Sequence, residues 1–235
     1  MTNEALQIKL KQRLNKLDSQ DYDNIQSWQI IEAFNKAQVE WCRRNLHGGN
    51  LYKEGDEASK RRIDDMQVLL IELPLTGTDE GTYFESTNFP LDDYLEYKRV
   101  STDATSECCP DPRSMTVYLA EEANVNLILR DPLKNHSYEW GETFCTLIDN
   151  EVRIYKDSEF NIVNPVLTYY RRPRYIQFAG VVDPYTGVPA AADVESQFKD
   201  DIVELMIDEA AAIIAGDIDN YTEMQRDQAA AERSN

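Results

Sequence analysis

The residues best suited to chemistry are four cysteines and two histidines, and their surroundings offer little of it. Cys42 falls in a predicted helix and Cys145 in a predicted strand, where a thiol is an ordinary core residue. Cys108 and Cys109 are adjacent in Cys108-Cys109-Pro110-Asp111-Pro112, whose prolines predict irregular structure. There is no C-x-x-C pair, and neighbouring cysteines are a poor basis for a disulfide framework, so reduced thiols are expected. His47 ends a predicted helix beside Gly48-Gly49, where a positive tip suits the dipole. His136 sits in the polar run Lys134-Asn135-His136-Ser137, and a structural role is expected for both histidines. No G-x-S-x-G, H-E-x-x-H, P-loop or G-x-G-x-x-G pattern occurs.

The 43 carboxylates need a fuller test. Asp64-Asp65, Asp92-Asp93, Glu121-Glu122, Asp200-Asp201 and Asp208-Glu209 are adjacent pairs. Neighbours on a helix diverge by about 100°, so such a pair does not close on one metal. Asp217-x-Asp219-Asn220 has the start of a calcium loop but lacks its glycine at the sixth position and its glutamate at the twelfth. An acidic, solvated surface accounts for these residues. No metal, cofactor or catalytic role is expected.

One basic site stands out. Arg171, Arg172 and Arg174 are interleaved with Tyr170, Pro173 and Tyr175, and residues 165–178 carry no acid. Arginines among tyrosines can pair a neighbour's carboxylates, form a plain strand edge or grip nucleic acid. A subunit interface is the preferred reading. The net charge of −19 opposes ordinary nucleic-acid binding, because it repels phosphate. That charge is uneven: residues 1–62 carry +2, residues 63–182 carry −11 and residues 183–235 carry −10.

These residues need elements to hold them. Leu6, Leu10, Leu14 and Leu17 predict a first amphipathic helix. Ile25, Trp28, Ile31, Phe34, Ala37, Trp41 and Cys42 predict a second over 25–46, capped by Asp23 or Asn24 and stopped by Gly48-Gly49. A charged segment at 56–66 has helical potential. Short β-prone runs follow at 68–73, 94–101, 115–120, 143–148, 151–155 and 166–170, with a loop at 76–82 and a hairpin turn at Asp149-Asn150. Pro184, Gly187 and Pro189 mark a linker. Val194, Phe198, Ile202, Leu205, Met206, Ala210, Ile213 and Ile214 predict a last helix, which Gly216 interrupts.

The expected fold is α+β: a helical core from the N- and C-terminal helices, a small, mostly antiparallel β insertion and an extended C-terminal arm. The expected parts are residues 1–67, 68–182 and 183–235 of one composite domain. No internal repeat is visible. The N-terminus lacks the pattern of a signal peptide, and no apolar run is long enough to span a bilayer, so folding in cytosol is expected.

The order of parts carries a resemblance. The segment from Tyr22-Asp23-Asn24-Ile25 through Trp28 to Ile30-Ile31-Glu32-Ala33-Phe34-Asn35-Lys36-Ala37 opens the main helix. Tyr169-Tyr170-Arg171-Arg172-Pro173-Arg174-Tyr175-Ile176 follows the β insertion. Residues from Phe198-Lys199-Asp200-Asp201-Ile202 to Ala210-Ala211 close the chain. This resembles the head-to-tail adaptor, or neck ring, proteins of tailed phages, particularly short-tailed ones and the crAss-like phages of gut Bacteroides. It covers the two ends, about half the chain.

The resemblance implies a non-enzymatic virion protein, made in the host cytoplasm and repeated around a ring of about twelve copies under the portal. Its partners would be itself, the portal and other neck or tail rings, with DNA passing unbound and no membrane involved. It implies an arm after Gly216 that reaches a neighbour or the portal, here including Ile218, Tyr221, Met224 and Arg226. The positive first segment and negative last segment would supply the two complementary faces of a closed ring. The alternatives are an acidic regulatory or DNA-mimic binding module, a carboxylate-metal hydrolase, and another virion protein of tail or capsid.

Overall fold

A computed structural model of the chain describes residues 1–17, 25–47 and 64–218. Its helices are α1 (Asn3–Leu17), α2 (Ser27–His47), α3 (Val125–Arg130) and α4 (Asp200–Ile218). Its strands are β1 (Leu70–Pro74), β2 (Gly77–Asp79), β3 (Tyr83–Ser86), β4 (Tyr94–Ser106), β5 (Cys109–Leu119), β6 (Glu142–Ile148), β7 (Glu151–Tyr155) and β8 (Asn161–Arg171). The chain divides into two units: Met1–Val68 with Pro173–Asn235, and Leu69–Arg172.

In the first unit α1, α2 and α4 pack on one another. The Thr2 hydroxyl accepts from the Ala5 backbone N–H at 3.3 Å and starts α1. Leu6, Leu10 and Leu14 are fully buried along it, as the stripe predicts. The buried face of α2 differs from the predicted one: it is Ile30, Ala33, Phe34, Ala37, Trp41 and Cys42, while Trp28 and Ile31 are only half-buried. On α4 the buried face is Ile202, Val203, Met206, Ile207, Ala210, Ala211 and Ile214, and the expected Leu205 points to solvent. Gly216 does not interrupt α4, which continues to Ile218. Trp41 meets Phe198 edge to face at 5.5 Å. Each fully buried large side chain here contributes about 1.5–3 kcal/mol of transfer free energy. The expected α2 caps Asp23 and Asn24, the stop at Gly48-Gly49 and most of segment 56–66 lie outside the described residues.

The second unit corrects the expected fold class. In place of a small β insertion it holds one eight-stranded, curled mixed sheet, a half-barrel in the order β1-β8-β4-β5-β6-β7-β3-β2, the largest assembly among the described residues. Every pairing is antiparallel except β5 with β6. The parallel pair needs a long crossover, and α3 lies within it. Two features hid the sheet's extent. Pro110 and Pro112, expected to exclude regular structure, lie in β5, where only the β4 side is paired; β6 joins from Thr116 onward. A proline costs little on an unpaired side. Residues 76–82, expected as loop, instead contribute β2 and the turn into β3. Gly77 is required there, because a Cβ would lie 1.8 Å from the Glu85 carbonyl oxygen on β3.

The turn at Asp149-Asn150 is as expected. Both residues have positive φ, 48° and 64°, which fits the tight mirror-image turn joining β6 to β7. The sheet's main core is Leu75, Val100, Cys145, Val152, Ile154, Leu167 and Tyr169.

Candidate subunit interface

α2 has a second apolar face. Trp28, Ile31 and Val39, with the polar Asn35 between the last two, recur at three- or four-residue steps turned away from the buried face and line a groove of about 930 Å³. The opposite wall is the extended segment that follows Tyr175, including Phe178, Val181, Val182, Tyr185 and Val188. Both walls belong to the first unit.

Specific hydrogen bonds hold this wall in place. Asn35 donates from Nδ2 to the Ile176 carbonyl at 3.3 Å and accepts from the Ile176 N–H at 2.8 Å, clamping the backbone both ways. Ile176 is fully buried and Phe178 nearly so, which anchors the wall's first residues. Asn3 donates to the Gln177 carbonyl at 2.8 Å, and Gln177 pairs with Val194 in an isolated bridge. Val182 bridges Pro189, and the turn between them is tied by Asp183, which accepts from the Tyr185 N–H at 2.8 Å and the Thr186 hydroxyl at 3.0 Å. Those bonds lower the Asp183 pKa below the ordinary carboxylate value.

Beyond its anchors the wall is open. Tyr185 is 80% exposed and Val188 62%. The Tyr185 hydroxyl donates to Glu32 at 3.1 Å, so the ring is held over the groove's rim by a polar contact at its tip. Glu32, Lys36, Glu40, Arg43 and Asp183 form the charged margin. An apolar floor with a mixed-charge rim is the anatomy of a protein-binding surface. The sequence predicts Trp28 and Ile31 in the core stripe, because a single apolar run carries no sign that it serves two faces.

The basic site is divided. Tyr170 and Arg171 end β8, opposite Glu96 and Tyr94 on β4. The Arg172 N–H donates to the Asp93 carbonyl at 2.6 Å, and its Nε donates to the Tyr94 carbonyl at 3.2 Å. These residues belong to the sheet unit, whereas Arg174 and Tyr175 belong to the helical unit. Arg174 is exposed, and Tyr175, 53% exposed, lines the groove. Below Tyr170, Tyr169 donates to Asp93 at 3.0 Å; burial first, then that contact, pushes its hydroxyl up to about 12. Ile218 is the last residue of α4, and Tyr221, Met224 and Arg226 lie outside the described residues.

The N- and C-terminal charges also meet within the chain. Lys9 and Arg13 pair with Glu204, Arg13 with Asp208, Arg44 with Glu209, and the N-terminal amine with Asp200 at 2.7 Å. The faces expected to attract neighbouring copies through these charges are thus partly neutralised internally.

His136 is nearly buried between the rings of Phe144 and Phe160, with Nε2 3.6 Å from Asp157; burial lowers its pKa. His47 is the last residue of α2. Among the described residues no group of three or more His, Cys, Asp or Glu is placed to hold a metal, and no helix is long and apolar enough to cross a membrane. No protein-family model matches the chain, and no curated protein matches it.

Proposed function

We propose that the chain is a non-enzymatic structural subunit of a phage neck ring, joining portal to tail and continuing the DNA channel. The observation that carries this reading is the groove. A helix already packed on one side presents a second apolar face, walled by a hydrogen-bonded segment with a large exposed tyrosine and valine. Surfaces of that kind mark interaction sites, and closed rings need two unlike faces on every subunit. The groove is one face. The other is the segment after Gly216 of the next copy, whose Tyr221 and Met224 are the apolar residues to seat there. The high negative charge then lines a passage through which DNA moves without adhering.

The internal pairing of Glu204, Asp208 and Glu209 with arginine and lysine weighs against a DNA mimic. A mimic needs an unneutralised acidic stripe.

The test is the double substitution Tyr185→Asp with Val188→Asp. Both side chains are mostly exposed, so thermal stability is expected to stay within about 0.5 kcal/mol of the parent. Ring formation, read by mass photometry alone and with the portal protein of the same virion, is expected to be lost. Unchanged assembly by the folded double variant contradicts the groove's role.

A further inference from the structure

The tip of the β4–β5 hairpin carries two thiols that the reading above does not use. Ser106 pairs with Cys109 across the hairpin, leaving Glu107 and Cys108 as its two-residue turn. Successive side chains on a strand point to opposite faces, which would keep adjacent thiols apart. Cys108 escapes that rule because it occupies the turn, and its Sγ lies 3.4 Å from the Cys109 Sγ. Both residues are exposed.

We propose that Cys108 and Cys109 form a reversible redox site that closes to a vicinal disulfide by exchange with a low-molecular-weight disulfide. The first thiolate, Cys108, attacks one sulfur of the small disulfide, giving a mixed disulfide and releasing one small thiolate. Cys109 then loses its proton to solvent and attacks the Cys108 sulfur, expelling the second small thiolate. Two protein thiols are oxidised and one small disulfide is reduced to two thiols, so electrons and protons balance.

The environment assigns the order. Contacts to Ser106 Oγ at 3.6 Å and then to Cys109 lower the Cys108 pKa, while the contact to Cys108 raises that of Cys109. The thiolate is the nucleophile, so Cys108 reacts first. Adjacent Cα atoms are about 3.8 Å apart, closer than the roughly 4.4 Å minimum of ordinary disulfides, so the closed ring is strained and readily reduced. Strained, exposed disulfides are the reversible ones. Cys42 and Cys145 serve as internal controls: burial pushes their thiols up to about 12 and about 11.

The experiment incubates the full chain with excess glutathione disulfide and maps its peptides by mass. The expected product has lost two hydrogens between residues 108 and 109, carries no glutathione, and regains both thiols on reduction. Cys109→Ser is expected to trap glutathione on Cys108. One equivalent of phenylarsine oxide per unmodified chain is expected to consume both thiols, a readout independent of any variant. Stable glutathione adducts on the parent chain, a cross-link between two chains, or two thiols that remain free would each overturn the proposal.

Discussion

Lys156 has a side chain only 6% exposed, and its Nζ donates to Asp79 at 2.6 Å and to Asn161 at 3.1 Å. The Lys156 contact is the main cause of a lowered Asp79 pKa, helped by the Gly81 N–H at 2.9 Å. A carboxylate whose folded pKa is depressed adds stability above its ordinary value of 3.8 and loses it as pH falls through the folded value. Asp79→Asn is therefore expected to destabilise the chain at neutral pH by no more than about 1 kcal/mol, since Asp79 is half exposed. Chemical denaturation from pH 7 down should show a constant difference to about pH 3.8 and the two proteins converging as pH falls further, through the lowered Asp79 value. Constant separation at all pH would deny the pair its role. Gly77 makes a sharper case, because only a missing Cβ lets β2 meet the Glu85 carbonyl. Gly77→Ala is expected to cost about 1–3 kcal/mol through displaced pairing of β2 with β3, read as a lower melting temperature.

Among the elements, α2 has two roles. Its core face and its groove face lie on one helix, so substitutions should separate them. Phe34→Ala, in the core, is expected to cost about 3–5 kcal/mol. Substituting the exposed groove-wall pair Tyr185 and Val188 should affect assembly alone. This element also shows what the sequence made legible. The helices were readable because leucines and aromatics recur with helical spacing, and the β6–β7 hairpin because Asp149-Asn150 tolerates positive φ. The sheet's size was not readable. β4 runs through Thr102-Asp103-Ala104-Thr105-Ser106, which has little apolar signal, and β5 opens with prolines that matter only if both sides are paired. Pairing is a long-range property, and β propensity reports mainly the neighbours a strand acquires. The groove was hidden for a similar reason: Trp28 and Ile31 carry the same apolar signal whether they face a core or a partner.

For the whole molecule, a net charge of −19 on each copy makes association costly unless apolar burial offsets repulsion. The internal ion pairs between α4 and the first two helices place part of the acidic charge beside cations, but the net charge of −19 stands. Added salt screens the like-charge repulsion between copies, so ring formation should strengthen between low and moderate ionic strength. In the proposed role, subunits act by joining copies of themselves beneath a portal. Its most direct test is the particle mass of the purified chain, measured alone and with its portal protein at moderate salt. Twelve copies of 27.1 kDa predict a ring near 325 kDa, alone or added to the portal's mass. A chain that stays at 27.1 kDa and leaves the portal's mass unchanged would contradict ring assembly.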